Sequence, residues 1–178
     1  MKRWLILALL CWSASAFAKT AAYFSPGLDC ENQVIKLIDN AQNTIDVAIY
    51  TLTNEPIVEA LKNAHMRGVQ VRILTDKLQA GNKYAKAVYL HQKGLNIRVH
   101  TKHRIEHNKF MVVDGQKMIT GSYNWTDSAT WKNSENCLVL WEEPNTIESY
   151  QKRFEYLWEL NTRQKSDQWF KNKMAGLK

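Results

Sequence analysis

The sequence has 178 residues and carries a formal net charge of +7. This length suits one globular domain and argues against two, because single domains commonly hold about 100–150 residues. Neither an interdomain linker nor a low-complexity segment interrupts the sequence. The basic balance is typical of a protein with a polyanionic partner, but charge alone does not identify that partner.

The amino-terminal residues have the organisation of an export signal. A basic start at Met1–Arg3 precedes an apolar run from Trp4 to Trp12, and Ala16–Ala18 forms a small-residue cleavage motif. The alternative is an uncleaved membrane anchor, but the apolar run is shorter than the ~20 residues that span a bilayer. We therefore predict cleavage after Ala18, which leaves residues 19–178 as one domain in the periplasm or outside the cell.

Cleavage would change the charge and the cysteine content. Loss of Lys2 and Arg3 lowers the Lys and Arg count from 24 to 22 against 17 acidic residues, so the net charge falls from +7 to +5. Cys11 leaves with the signal, whereas Cys30 and Cys137 remain. In an oxidising compartment this pair forms either a disulfide or two buried free cysteines.

Hydrophobic periodicity predicts an alternation of strands and helices after the signal. Strands are predicted over residues 21–24, 45–50, 69–74, 97–99, 110–113, 117–120 and 137–140. Helices are predicted over residues 31–42, 83–93 and 145–161, and another helix follows an Asn54 cap and ends at Gly68. This order predicts an α/β fold with a mixed, largely parallel central sheet flanked by helices.

Two polar segments have alternative interpretations. Residues 76–82 form a polar loop after a strand, so Lys77 and Lys83 either contact substrate or are ordinary solvated lysines. The tail over residues 164–178 contains Trp169–Phe170 among its lysines. This tail is either frayed or a contact for nucleic acid or membrane.

The most informative stretch lies between residues 107 and 124. His107, Lys109 and Asp114 form H-x-K-x-x-x-x-D, and a G-S-x-N motif with Ser122 and Asn124 follows. Side chains alternate along a strand, so His107 and Lys109 should project from one face. A neutral imidazole can attack phosphorus to form a phosphohistidine, and the Lys ammonium, the hydroxyl and the amide can bind phosphate oxygens. The pattern therefore predicts a phosphodiester site.

These motifs resemble the phospholipase D superfamily and, within it, the small bacterial endonucleases of the Nuc type. The resemblance extends to residues 45–50, 67–73 and 133–136. It implies a phospholipase D-like fold and a catalytic set of His107, Lys109, Asp114 and Glu135. Glu135 would hold the non-attacking ring nitrogen of His107 and so set its tautomer. Asp114 precedes a glycine at a hairpin tip, where an ordering role is expected.

The chain holds one copy of the motif, whereas larger members of the superfamily hold two. The reaction requires a neutral nucleophile and a protonated acid at the same time, and one histidine cannot supply both. The resemblance therefore implies a homodimer in which one His107 attacks and its mate protonates the leaving group. Two such coupled imidazoles predict a bell-shaped pH–rate profile.

No metal cofactor is expected. His100, His103 and His107 occur within eight residues, but the neighbouring cations Lys102 and Arg104 repel a metal ion. No HExxH, C-x-x-C or paired aspartate run is present in the sequence. The Lys109 side chains of a dimer would supply the positive charge that metals give other nucleases.

Three functions are compatible with these motifs. The leading hypothesis is a nonspecific endonuclease for DNA, and also for RNA, that contacts nucleic acid through Arg98, Lys102, Arg104 and Trp131. The second is a phospholipase D-type hydrolase of diester lipids such as cardiolipin, for which Trp131 and Trp169–Phe170 would form an apolar lip. The third is a nucleic-acid-binding protein of DNA uptake with an inactive site.

Overall fold

The computed structural model describes residues 19–176, and the predicted export signal lies outside the described residues. The strands are β1 (Lys19–Ser25), β2 (Thr44–Ile49), β3 (Gln70–Asp76), β4 (Asn96–His100), β5 (Lys109–Val113), β6 (Lys117–Gly121) and β7 (Glu135–Trp141). The helices are α1 (Asp29–Asp39), α2 (Glu55–Met66), α3 (Lys77–Ala80), α4 (Ala87–Gln92), α5 (Asp127–Trp131), α6 (Pro144–Leu160) and α7 (Arg163–Ala175).

The strands form one mixed sheet in the order β1-β7-β6-β5-β2-β3-β4. The predicted α/β class, with a mixed sheet flanked by helices, is confirmed. The expectation that the sheet is largely parallel is wrong, because only β2–β3 and β3–β4 pair in parallel and the other four pairings are antiparallel. Helical crossovers join the parallel strands, whereas β5 and β6 form a hairpin whose short turn reverses the chain direction.

Alternation along the strands divides the core into two layers. In β2, Ile45, Val47 and Ile49 belong to the larger layer, which also contains buried side chains of α1, α2, α4 and α7. Ala48 belongs to the smaller layer, where α6 supplies the helical contribution. Asp46 lies within β2 and binds Arg72 of β3 through two hydrogen bonds of 2.6 and 2.7 Å. The sheet is therefore buried on both sides along its centre, and its chemistry must lie at an edge.

Side-chain caps explain where several helices begin. The side chain of Asn54 accepts the backbone N–H of Ile57, which confirms the predicted cap of α2. The expected loop over residues 76–82 instead contains α3, because the carboxylate of Asp76 accepts the N–H groups of Leu78 and Gln79. The predicted helix over residues 83–93 is shortened to α4.

The carboxyl-terminal tail forms the packed helix α7 as far as Ala175, which excludes the frayed alternative over those residues. Phe170 of α7 is fully buried and stacks on His91 at a centroid distance of 4.1 Å. Ser166 accepts the backbone N–H of Val99 in β4 at 3.1 Å. Because Phe170 is part of the core, it is not available as an apolar lip for lipid chains. None of the helices in residues 19–176 is long and apolar enough to cross a bilayer.

A disulfide links the first helix to the last strand. Cys30 of α1 is bonded to Cys137 of β7, and the two residues are 107 positions apart in the sequence. Both cysteines are buried. The bond therefore ties α1 to the strand that begins at Glu135.

Candidate active site

The motif residues other than Asp114 meet at one edge of the sheet. The antiparallel register pairs Ile49 with Lys109 and Gly121 with Cys137. This register brings the carboxyl ends of β2 and β6 beside the amino ends of β5 and β7. His107, Ser122 and Glu135 consequently lie at the same edge, although up to 28 residues separate them in the sequence.

His107 and Lys109 share one neighbour, the ring of Tyr50. The exposed His107 ring lies edge-on to Tyr50 with 4.7 Å between centroids. The ammonium nitrogen of Lys109 is 5.1 Å from the centroid of the same ring and donates a 2.6 Å hydrogen bond to the His107 carbonyl oxygen. The strand itself begins only at Lys109, so His107 is held by the preceding loop. An exposed imidazole next to a buried cation is the arrangement that attack on a bound phosphate requires.

Tyr50 is a site residue that sequence reasoning assigned only to a strand. Its hydroxyl accepts a 3.0 Å hydrogen bond from Nε2 of Gln79 in α3. Oε1 of Gln79 in turn accepts a hydrogen bond from the Thr51 hydroxyl. Tyr50 directly follows β2, and a position just after the carboxyl end of a strand was the sequence signal that could have indicated a site residue. Tyr50 therefore gives both motif side chains a fixed aromatic surface.

Burial perturbs the cation of the motif. Lys109 is only 9% exposed. Burial lowers the pKa of its ammonium group, because the charged form loses hydration, and the nearby carboxylates Glu135 and Glu106 partly oppose this shift. The group is a cation in a partly dehydrated setting, where its attraction for a phosphate oxygen is stronger than in water.

The G-S-x-N segment requires glycine at its first position. A Cβ on Gly121 would collide with the carbonyl oxygen of Asn136 in β7, because the two backbones approach closely there. That oxygen accepts the N–H groups of Ser122 and Tyr123, and the Ser122 hydroxyl oxygen accepts the N–H of Asn136 at 3.1 Å. The Ser122 hydroxyl is thus held in place while its hydrogen remains available to a substrate oxygen.

Asn124 lines a polar cleft beside the motif. Its Oδ1 atom is buried and has no hydrogen-bond partner within residues 19–176, which is unusual outside functional sites. The cleft has a volume of about 360 Å³, and its other walls are Thr51, Thr53, Asn82, Tyr84, Thr126, Asp127 and Ser128. Walls of hydroxyl and amide groups with one carboxylate, Asp127, suit an uncharged, hydrogen-bonding part of a substrate rather than an alkyl chain.

Glu135 lies at the predicted edge but makes a different contact from the expected one. Its carboxylate accepts a 3.0 Å hydrogen bond from the Asn133 amide and acts on Lys109 through its charge. Among the described residues it makes no hydrogen bond with His107. Its role in setting the His107 tautomer therefore stays a prediction.

Asp114 does not join the other motif residues. It follows β5 at the opposite end from His107, so about 17 Å of strand separates it from Lys109. Its carboxylate accepts the N–H groups of Gln42, Asn43 and Thr44 at 2.7–2.9 Å. These hydrogen bonds hold its pKa below the usual value, although burial opposes them. The structure does not bring Asp114 to the other motif residues and its contacts agree with the expected ordering role, so a place in the catalytic set stays a prediction.

The expected nucleic-acid contacts divide into two groups. Arg98 lies over the Trp158 ring at 4.1 Å and donates a 2.6 Å hydrogen bond to the Trp158 carbonyl oxygen. It therefore packs β4 against α6 and is withdrawn from the set. Lys102 and Arg104 are exposed in the loop that leads to His107, and Trp131 is 56% exposed at the end of α5.

The three neighbouring histidines have separate roles. His100 is buried, and its Nε2 lies 2.8 Å from Nδ1 of His103. Its Nδ1 accepts a 2.9 Å hydrogen bond from the Asn161 amide. His107 is exposed and its ring lies instead against Tyr50. Within residues 19–176, no group of three or more His, Cys, Asp or Glu side chains is arranged to hold a metal ion.

Comparison with known proteins identifies similar chains. Phospholipase D of Rickettsia prowazekii is 38% identical over 127 residues, which are 71% of this chain and 62% of that protein. Mitochondrial cardiolipin hydrolase of Chlamydomonas reinhardtii is 33% identical over 129 residues, which are 72% of this chain and 57% of that protein. The aligned region thus spans about six-tenths of the length of these two relatives.

Solved structures with the same architecture have a similar extent. Nuc of Salmonella typhimurium, described as a phospholipase D family member, superposes with a TM-score of 0.77 and 30% identity, covering 82% of this chain and 97% of that one. NucT of Helicobacter pylori has a TM-score of 0.76 at 24% identity, covers 82% of this chain and 99% of that one, and supports the fold alone. A family profile described as "Cardiolipin synthase, PLD-like domain" matches residues 34–158, which include both motifs. The chain therefore belongs to the phospholipase D-like family.

Proposed function

We propose that the protein is a phosphodiester hydrolase that acts as an endonuclease on DNA, and also on RNA, without sequence specificity. The reaction proceeds through a phosphohistidine at His107. One observation carries the proposal. The exposed His107 ring and the buried Lys109 ammonium flank the same Tyr50 ring at an open sheet edge. Ser122 and Asn124 leave the neighbouring strand at that edge. A nucleophile, a cation and two neutral hydrogen-bonding groups together match the needs of a phosphodiester.

The proposed reaction has two displacements. A neutral ring nitrogen of His107 attacks phosphorus, and the bond from phosphorus to the leaving oxygen breaks as that oxygen takes a proton from the His107 of a second copy. A water molecule then attacks the phosphohistidine and gives a proton to that second imidazole. The N–P bond breaks and both histidines return to their starting states. Lys109 stabilises the charge on the non-bridging oxygens in both displacements.

The second imidazole requires a second chain, so we include a homodimer in the proposal. The sequence contains one H-x-K motif, and a symmetric interface would place two copies of it face to face. Two aromatic side chains near this edge support such an interface. Phe24 of β1, which pairs with Asn136, is 63% exposed, and Trp131 is 56% exposed. Exposed aromatic groups of this kind are typical of contact surfaces.

Three features favour nucleic acid as the substrate. The cleft beside Asn124 is lined mostly by hydroxyl and amide groups that suit sugars and bases, with the Asp127 carboxylate among them. Lys102 and Arg104 are exposed next to the motif and suit a phosphate backbone. Phe170, one of the residues expected to form an acyl-chain lip, is buried in the core.

Hydrolysis of a diester lipid is the second candidate. The relative from Chlamydomonas reinhardtii carries the name mitochondrial cardiolipin hydrolase. Phe24, Leu28 and Trp131 are exposed near the site edge and would offer some apolar surface to acyl chains. Such a surface is also what a dimer interface would need, so it favours lipid less than the polar cleft favours nucleic acid.

One experiment separates these functions. The mature protein is incubated in EDTA with plasmid DNA, single-stranded DNA, RNA or cardiolipin vesicles, and His107→Ala serves as the blank. We expect cleavage of the nucleic acids, with rates that fall steeply as salt rises. Cleavage of cardiolipin alone would replace the first candidate with the second. Binding of DNA without turnover would instead favour a DNA-uptake role.

We also propose export to an oxidising compartment, with the periplasm as the first choice. The pattern of residues 1–18 and the Cys30–Cys137 disulfide support it, since structural disulfides are rare in the cytosol. Cell fractionation and the mass of the isolated protein test this. A mature chain that begins at Lys19 is expected, and an intact amino terminus in the cytosolic fraction would contradict it.

A further inference from the structure

We propose that Glu106 is a positioning residue that sets the orientation of the nucleophile His107. The inference rests on the proposed phosphodiesterase function. Glu106 directly precedes the nucleophile, yet it is only 2% exposed while His107 is exposed. A buried carboxylate adjoining an exposed catalytic ring calls for an explanation, because burying a charge is costly unless it is bonded.

The carboxylate of Glu106, which precedes His107, accepts hydrogen bonds from Asn108, which follows it. Its Oε1 accepts the backbone N–H of Asn108 at 3.1 Å and also the Asn108 side-chain amide at 2.5 Å. The backbone N–H of Glu106 donates to Oδ2 of Asp76 at 3.0 Å. The residues on both sides of His107 are therefore held, while the His107 ring stays exposed to a substrate beside Tyr50.

The hydrogen bonds of Glu106 to Asn108 and Asp76 form a clamp around His107. Asp76 connects this clamp to the aromatic surface beside His107. Its other oxygen, Oδ1, caps α3 by accepting the N–H groups of Leu78 and Gln79. The side chain of Gln79 then donates to the hydroxyl of Tyr50, whose ring contacts His107. One buried carboxylate thus connects both supports of the nucleophile, the backbone on one side and the ring on the other.

The start of the same loop is held by His100. Its Nδ1 accepts a hydrogen bond from the Asn161 amide and lies 3.8 Å from Oε2 of Glu106, and its Nε2 lies 2.8 Å from Nδ1 of His103. The charged and titratable groups around this centre are His100 and His103 of the loop, Asp76 after β3, Lys109 of β5 and, acting on His100, Arg153 of α6. The loop is anchored at both ends, which suits a segment that must present one ring accurately.

Geometry and charge make separable contributions. Loss of the clamp would let the His107 backbone shift, and a misplacement of ~1 Å can lower a rate about 10²-fold. Loss of the negative charge alone would leave the clamp, because one neutral amide oxygen can accept both Asn108 hydrogen bonds. It would also remove an attraction that favours the charged form of Lys109.

The experiment compares Glu106→Gln and Glu106→Leu with Glu159→Gln, a control at an exposed glutamate of α6. The full mature protein is assayed with bis(4-nitrophenyl) phosphate, and kcat, KM and the pH–rate profile are measured. We expect Glu106→Leu to lower kcat about 10²-fold with little change in KM. We expect Glu106→Gln to retain most of kcat and to move the alkaline decline of the rate to lower pH. The control should resemble the wild type.

A second variant covers the case in which Glu106→Leu does not fold. Asn108→Ala removes the side-chain hydrogen bond from the opposite partner, and about a tenfold fall in kcat is expected with unchanged KM. Equal kcat for wild type and a folded Glu106→Leu protein, or for wild type and Asn108→Ala, would overturn the positioning role. A wild-type protein no more active than His107→Ala would overturn the proposed function itself and this role with it.

Discussion

The ammonium nitrogen of Lys109 lies 2.6 Å from the carbonyl oxygen of His107. This hydrogen bond joins the cation of the site to the backbone of the nucleophile and fixes the position of one relative to the other. The Tyr50 ring lies next to both side chains and limits their movement further. A phosphate that displaces the carbonyl oxygen from the ammonium group would be placed directly beside the imidazole.

Replacing Lys109 with Met should lower kcat about 10²–10³-fold, the usual effect of removing one preorganised charge stabiliser. The substitution retains much of the buried volume, so the fold should persist. Lys117→Met is the matched control, because Lys117 is exposed at the opposite end of the β5–β6 hairpin. Steady-state hydrolysis of bis(4-nitrophenyl) phosphate measures both variants, and equal losses in the two would contradict a specific role for Lys109.

The value of kcat should fall with rising pH before exposed lysines lose their protons. Burial lowers the pKa of Lys109 despite the opposing charges of Glu135 and Glu106. A lysine is charged below its pKa, so a lowered pKa moves the loss of the cation toward neutral pH. The measurement is kcat across the alkaline range. A rate that stays constant until exposed lysines deprotonate would disagree with the structure.

Mixing wild-type protein with an equal amount of inactive His107→Ala should halve the total activity once subunits exchange. If each site needs both imidazoles, only dimers of two wild-type chains are active, and random pairing makes these about a quarter of all dimers. Because the total number of dimers has doubled, the activity falls to half that of the wild-type protein alone. Independent monomeric sites would leave the total unchanged. Activity is followed after mixing, with Lys19→Ala as an active partner that should not inhibit, since Lys19 is exposed at the far end of β1.

Asp114→Asn should destabilise the protein without lowering kcat. The carboxylate accepts three backbone N–H groups, and weakening such charged hydrogen bonds costs on the order of 1–3 kcal/mol. Because the folded pKa of Asp114 is depressed, its contribution is present above the unfolded pKa and disappears as pH falls through the folded pKa. The difference in unfolding free energy between variant and wild type should therefore shrink in acid.

Urea unfolding at neutral and acid pH measures this difference, and Asp39→Asn is the control because Asp39 is exposed at the end of α1. A large fall in kcat with unchanged stability would return Asp114 to the catalytic set.

Activity should survive a chelator. Lys109 and the two histidines of a dimer supply the charge and the proton transfers, so no step of the proposed reaction requires a metal. The test is cleavage of plasmid DNA after exhaustive dialysis against EDTA. Loss of cleavage that added divalent metal restores would refute the metal-independent mechanism.

Local sequence patterns were sufficient for several features of this protein. The H-x-K and G-S-x-N motifs predicted a phosphate site, and Asn54 predicted the start of α2, because each depends on residues only a few positions apart. The α/β class likewise followed from the order of strands and helices. Short-range spacing and hydrophobic period contain this information, so no knowledge of strand pairing was needed.

Strand register decided the rest. Asp114 lies in the same motif as His107, yet five residues of extended chain carry it to the opposite edge of the sheet. Tyr50 and Asp76 are far from His107 in the sequence, yet pairing of β2 with β5 and the hydrogen bond from Glu106 to Asp76 bring both close to the nucleophile. The sequence by itself determined which chemical groups the protein possesses. Only the tertiary structure decided which of them meet, because long-range pairing, not local spacing, sets the distances between strands.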